Sequence, residues 1–224
     1  MELVEFELPY DFGNEIALLG SFNNWDLNSK DLIVTEGRNL ELELDSGVYY
    51  YKFLVDNQFW CNDPQAKGYV SDGKEAINSV LHVGEDTDEL ITNKDYGQVI
   101  DISLANQFKE DFLLNKGQAE KKPCFNCQDH QIYIYNTIKN FVGEIELSYV
   151  WCKPDLGIYN AESTLLQGIG GEQRLYNYIN LRSNNLQPGQ WKVFILANGL
   201  VIEEVEFLLK SNFCGHQNGK VVVR

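Results

Sequence analysis

The run Asn39-Leu40-Glu41-Leu42-Glu43-Leu44 alternates apolar and polar residues without a break. A period of two suits only an extended strand with one buried and one wet face. The same period returns along the chain in short bursts rich in Tyr, Phe, Val and Ile, while long helix-forming runs are scarce. In the first third, Val4, Phe6 and Leu8 share a face, and Glu15 to Leu19 ends at Gly20. Ser46-Gly47 turns the chain into a long strand, Val48 to Val55. Asp56-Asn57 is a hairpin signal returning it through Phe59 and Trp60, and a Gly-, Lys- and Asp-rich loop, Lys67 to Glu75, precedes a last strand, Asn78 to Val83. Further on, the alternation resumes in Gln131–Thr137, Glu144–Cys152, Ser163–Leu166, Arg174–Leu181, Trp191–Leu196 and Leu200–Leu209. Pro188-Gly189 and Asn198-Gly199 supply turns between them.

The expected fold is therefore all-β: two immunoglobulin-like β-sandwich domains, residues 1–84 and 124–224, joined by a connector over 85–123. The connector opens on an acidic loop. Ile100, Leu104, Phe108 and Phe112 then recur every fourth residue, and Gly117 follows as a stop, which predicts one amphipathic helix between Val99 and Leu114.

Charge narrows the partners. The formal net charge is −15, and residues 1–84 carry 5 basic against 15 acidic side chains, whereas 124–224 carry 8 against 9. Such a polyanion is repelled by phosphate backbones and anionic lipid, so neither nucleic acid nor membrane is an expected partner, while a neutral ligand is unaffected. No apolar run reaches the ~20 residues of a bilayer span, and the N-terminus has no basic and apolar signal pattern. With five cysteines, an odd number, reduced thiols and a cytoplasmic location are expected.

A tryptophan behind two asparagines in a loop, as in Gly20-Ser21-Phe22-Asn23-Asn24-Trp25, is poorly placed to fill a core and well placed to offer a flat face to a ligand. Sugars pack their C–H faces on such rings, removing apolar surface from water at about 25 cal/mol per Å². Their hydroxyls need polar side chains that would otherwise go unpaired. Trp25 and Trp60 can be two plates set at an angle. Lys52, on the strand face opposite Phe53, can be a donor, and Asn78 can donate and accept.

Taken together, Gly-Ser-Phe-Asn-Asn-Trp, then Tyr51-Lys52-Phe53-Leu54-Val55-Asp56, Trp60-Cys61-Asn62-Asp63-Pro64 and the strand from Asn78 to Val83 resemble the family 48 carbohydrate-binding module. This is the family of the glycogen-binding domain of the AMP-activated protein kinase β subunit, and the resemblance covers residues 12–84. It implies binding of α-1,4-glucan (glycogen, starch or maltooligosaccharide) through Trp25, Lys52, Trp60 and Asn78, with no catalytic residue, metal or cofactor. The chain departs from the family pattern in one extra residue between Asp56 and Asp63, and in Lys74 and Ala76 where the family carries leucine and threonine. The C-terminal sandwich is expected to be an interaction or structural domain with a protein partner.

Two other readings stand beside this one. The module could be a protein-interaction scaffold that no longer binds sugar. Alternatively, Cys124, Cys127, Cys214 and His216 could form a zinc site serving a small enzyme, a loose signal from one Cys-x-x-Cys pair and a distant Cys-x-His. No Gly-x-Ser-x-Gly, His-Glu-x-x-His or P-loop motif is present, and Gly168-x-Gly170-Gly171 lacks the setting of a dinucleotide fingerprint.

Overall fold

Alternate residues turn to opposite sides along nearly every apolar run, and each run finds a sheet partner. The computed structural model describes residues 1–8, 10–28, 33–34, 39–74, 76–84, 96–114, 124–126, 129–181 and 186–211. The first eight strands are β1 (Glu2–Glu7), β2 (Ile16–Gly20), β3 (Ile33–Val34), β4 (Asn39–Leu44), β5 (Gly47–Val55), β6 (Phe59–Cys61), β7 (Gly68–Ser71) and β8 (Ile77–Val83). β1 and β4 pair antiparallel as one layer, and the other has the order β3-β2-β5-β8-β7, with β6 folded back on β5. Phe6, Leu8 and Leu44 meet Leu18, Tyr51, Phe53 and Val55 between the layers. Asp56 and Asn57 both have positive φ (50° and 53°), the backbone that a two-residue turn between right-twisted strands requires.

The remaining elements are β9 (Gln98–Ala105), the one-turn helix α1 (Glu110–Leu113), β10 (Cys124–Phe125), β11 (Gln131–Lys139), β12 (Val142–Cys152), β13 (Ile158–Ile169), β14 (Glu172–Asn180), β15 (Gly189–Ala197) and β16 (Leu200–Leu209). They form a sheet of order β10-β16-β15-β12-β13 facing a three-stranded sheet, β14-β11-β9. Trp151 and Trp191 are fully buried between them. No helix among the described residues is long and apolar enough to cross a membrane.

Two expectations are corrected. The helix foreseen between Val99 and Leu114 is instead β9 followed by α1 alone. β9 pairs antiparallel with β11, and its register slips opposite Tyr135 to Thr137, where Asp101 takes a positive φ of 54°. The slip carries the core face from Val99 to Ile102 and Leu104, so the strand loses its clean alternation and imitates a helical stripe. Likewise, the loop foreseen over Lys67 to Glu75 contains β7, held by the buried Tyr69, whose hydroxyl donates to the Asp63 carbonyl at 2.9 Å.

The middle strands decide how the two halves meet. Ile145, Leu147, Tyr149 and Trp151 of β12 face the second core, as do Val193 and Ile195 of β15. On the opposite face, Val150, Cys152, Phe194 and Leu196 join the core of the first half, where Phe194 lies 4.9 Å from Phe12, ring to ring. This sheet is apolar on both sides because both sides are covered. Between β15 and β16 of this sheet, the hairpin turn Asn198-Gly199 meets the Asn62 backbone so closely that a Cβ on Gly199 (φ +84°) would lie 1.9 Å from the Asn62 carbonyl oxygen.

Candidate functional site

The loop after β2 is built to hold Trp25 out of the core. A single 3-10 turn spans Ser21–Asn23. The Asn23 side-chain oxygen accepts from the backbone N–H of Gly20 (2.9 Å) and of Trp25 (3.2 Å), while the Trp25 N–H also reaches the Gly20 carbonyl at 3.0 Å. The Ser21 hydroxyl accepts from the Tyr50 N–H at 3.1 Å. Asn24 and Trp25 both sit in the left-handed region (φ 54° and 59°), a conformation that costs an ordinary residue about 1–2 kcal/mol and that these hydrogen bonds offset. Gly20 is required for a different reason: a Cβ there would stand 2.5 Å from the Tyr50 carbonyl oxygen.

On β6, Phe59 and Cys61 point inward and Trp60 points out, 37% exposed. The Trp25 and Trp60 rings lie 6.1 Å apart, centroid to centroid, at 60°. Asn78, half-buried at the start of β8, and Ala76 lie in the same cleft, of about 410 Å³. Ala76 and Lys74 are held by the Asp72 carboxylate, which accepts from both backbone N–H groups (3.2 and 2.8 Å). Those two bonds keep the Asp72 carboxyl below its ordinary range.

Lys52 does not stand on a solvated strand face, as its position opposite Phe53 predicts; it is 5% exposed. Its ammonium donates to both oxygens of Glu146 (Oε2 at 2.7 Å, Oε1 at 2.9 Å), across 94 residues of sequence. The reason is the second sheet, which covers that face. The Asn62 amide also donates to Glu146 Oε1 at 3.1 Å, the Ser79 hydroxyl donates to Asn62 Oδ1 at 3.1 Å, and the Asp63 N–H donates to the Ser79 hydroxyl at 2.8 Å. Tyr51 closes the chain by donating to Asp63 Oδ2 at 2.8 Å. From the other side, Asn198 Oδ1 accepts the Glu146 N–H at 2.8 Å. A buried charge pair with each partner hydrogen-bonded in this way thus joins the halves directly beneath the cleft.

Four cleft residues carry no signal in the sequence: Gln58, Glu146, Ala161 and Ser163. Glu146 reads as one more outward residue of an alternating strand, and Ala161 and Ser163 have no distinctive chemistry. Among the cysteines, Cys61 and Cys152 are buried and burial raises both thiols, Cys152 to about 12; Cys124 is half-buried. Cys127, Cys214 and His216 lie outside the described residues, among which no group of three or more His, Cys, Asp or Glu could hold a metal.

Residues 4–89 match the family model described as the glycogen recognition site of AMP-activated protein kinase. The β-1 subunit of 5'-AMP-activated protein kinase from Sus scrofa is 38% identical over 74 residues, 32% of this chain and 56% of that sequence. The Homo sapiens β-2 subunit is 36% identical over 73 residues, 32% of this chain and 25% of that one. The match therefore spans less than two thirds of either relative. Among solved structures, an immunoglobulin-like protein from Pseudomonas aeruginosa superposes at TM-score 0.33 and 9% identity, over 51% of this chain and 93% of that one.

Proposed function

We propose that residues 1–84 are a non-catalytic module that binds α-1,4-glucan, that 124–224 together with β9 form a second, interaction or structural domain with a protein partner, and that the chain works in the cytoplasm. The observation that carries this reading is the pair of tilted indoles, Trp25 and Trp60, at the mouth of a cleft with Asn78 beside them. A curved glucan presents successive sugar faces at an angle, and two flat plates at 60° suit it. The exposed 37% of Trp60 is roughly 90 Å² on a side chain of this size. Covered by a sugar ring, that area is worth ~2 kcal/mol, about thirtyfold in affinity. The description of the family model matching residues 4–89 supports the same ligand class. Within this reading Lys52 acts from beneath the cleft, with two of the three N–H donors of its ammonium directed at Glu146.

Trp25→Ala should abolish retention on immobilised glycogen while leaving the fold intact. Retention equal to that of the unaltered protein would refute the site. The engagement of Lys52 by Glu146 favours one competing reading, a scaffold whose module no longer binds sugar. Native gels cast with and without glycogen separate the two, since a scaffold migrates identically in both.

A further inference from the structure

Resting on that glucan-binding reading, we propose that the second sandwich supplies the far wall of the site, so that the ligand is a short linear α-glucan segment gripped by both halves. The indoles and Asn78, from the first half, and Ala161 and Ser163, from the second, line the same cleft above the Lys52–Glu146 pair. Ala161 and Ser163 are alternate residues of β13, paired with Val150 and Ser148 of β12, so they share the face from which Glu146 reaches Lys52.

This wall is fixed in place at two points. Glu146 holds Lys52, and Leu165 of β13, the cross-strand partner of Glu146, packs on Ala66, Tyr69 and Ile77. It is also made of small side chains, which leaves room between itself and the indoles. The Ser163 hydroxyl shares a 2.8 Å hydrogen bond with Ser148 Oγ, and a hydroxyl with one donor and two acceptor sites keeps capacity for a sugar hydroxyl. At about 410 Å³, the cleft sits in the range of small-molecule sites and holds about two or three hexose rings, not a full helical turn of polysaccharide. The net charge of −15 favours a neutral hexose over a phosphorylated one.

The wall changes what affinity should depend on. On an open shelf of two indoles, each added glucose finds further surface. Between two walls, gains stop once the cleft is full.

The test is isothermal titration of the full chain with maltotriose, maltopentaose and maltoheptaose, using the unaltered protein, Trp25→Ala, Ser163→Trp and the smaller Ser163→Gln. Ser163 is exposed on the edge strand β13, so both replacements can be accommodated without repacking a core, and the thermal midpoint monitors this. The expected result is an affinity that levels off by maltotriose, within about threefold up to maltoheptaose. Ser163→Trp should weaken it by about tenfold or more, and Ser163→Gln by less. If Ser163→Trp and Ser163→Gln bind like the unaltered protein while Trp25→Ala fails, the shelf alone holds sugar; the wall is refuted and the glucan reading stands. If the unaltered protein binds none of the three sugars, the glucan reading falls, and this inference with it.

Discussion

Replacing Lys52 with methionine separates a ligand contact from a structural one. In the folded chain the Lys52 and Glu146 side chains are only 7% and 5% exposed, and the ammonium lies within 2.9 Å of both carboxylate oxygens. Lys52→Met keeps the volume and removes the charge, leaving the Glu146 carboxylate buried with the Asn62 amide as its remaining side-chain donor among the described residues. Breaking a buried pair from one side costs about 3–5 kcal/mol, because the surviving charge is no longer compensated. With a urea m-value of ~2–3 kcal/mol per M, the unfolding midpoint should fall by about 1.5 M. Tryptophan fluorescence reports this, since Trp25 and Trp60 lie in one half and Trp151 and Trp191 in the other. Lys52→Met/Glu146→Leu removes both charges and should recover most of the loss, as an apolar pair of similar size does in a buried setting. A single variant that shifts the midpoint by less than about 0.3 M, or a double variant as unstable as the single, would refute the argument. If Lys52 instead served mainly to touch sugar, Lys52→Met would weaken glucan binding with the midpoint unmoved.

Two further outcomes are expected. Gly199→Ala must place its Cβ 1.9 Å from the Asn62 carbonyl oxygen at a positive φ, and should cost at least about 2 kcal/mol, whereas Gly171→Ala, also at positive φ but with nothing within 4 Å, should cost only about 1. Equal losses in denaturant titrations would show that the contact between the Asn198-Gly199 turn and Asn62 is loose. The second outcome concerns alkaline pH. Burial lifts the Cys152 thiol from 9.0 to about 12 and raises Tyr10, Tyr51 and Tyr149 as well. These groups stay protonated in the folded chain while the unfolded chain ionises, so their contribution is complete below about pH 9 and is lost as pH climbs. The thermal midpoint should fall from about pH 9 towards pH 12, and less steeply in Cys152→Ala; identical slopes would contradict the assignment.

Local chemistry made much of the architecture readable. Asn39–Leu44 is a strand with the bounds that its alternation gives, and Leu200–Leu209 follows Asn198-Gly199 as expected of a hairpin. Gly20 to Trp25 is legible because every residue there acts on a neighbour a few positions away: Asn23 on Gly20 and Trp25, Gly20 on the passing backbone. By contrast, β9 was disguised by a slip in register that only its partner strand explains, and β7 was hidden because Tyr69 finds its acceptor in a loop rather than in a pattern.

The period of the side chains and the residues at the turns determined, without any help from three dimensions, that this chain is built of strands and that an indole is displayed at the end of β2. The fate of Lys52, the burial of both faces of β12 and the wall formed by Ala161 and Ser163 were decided only by the docking of one half on the other. Periodicity and turn chemistry act within a few residues, whereas the compensation of a buried charge acts through space, and a partner 94 positions away leaves no mark on the sequence around either residue.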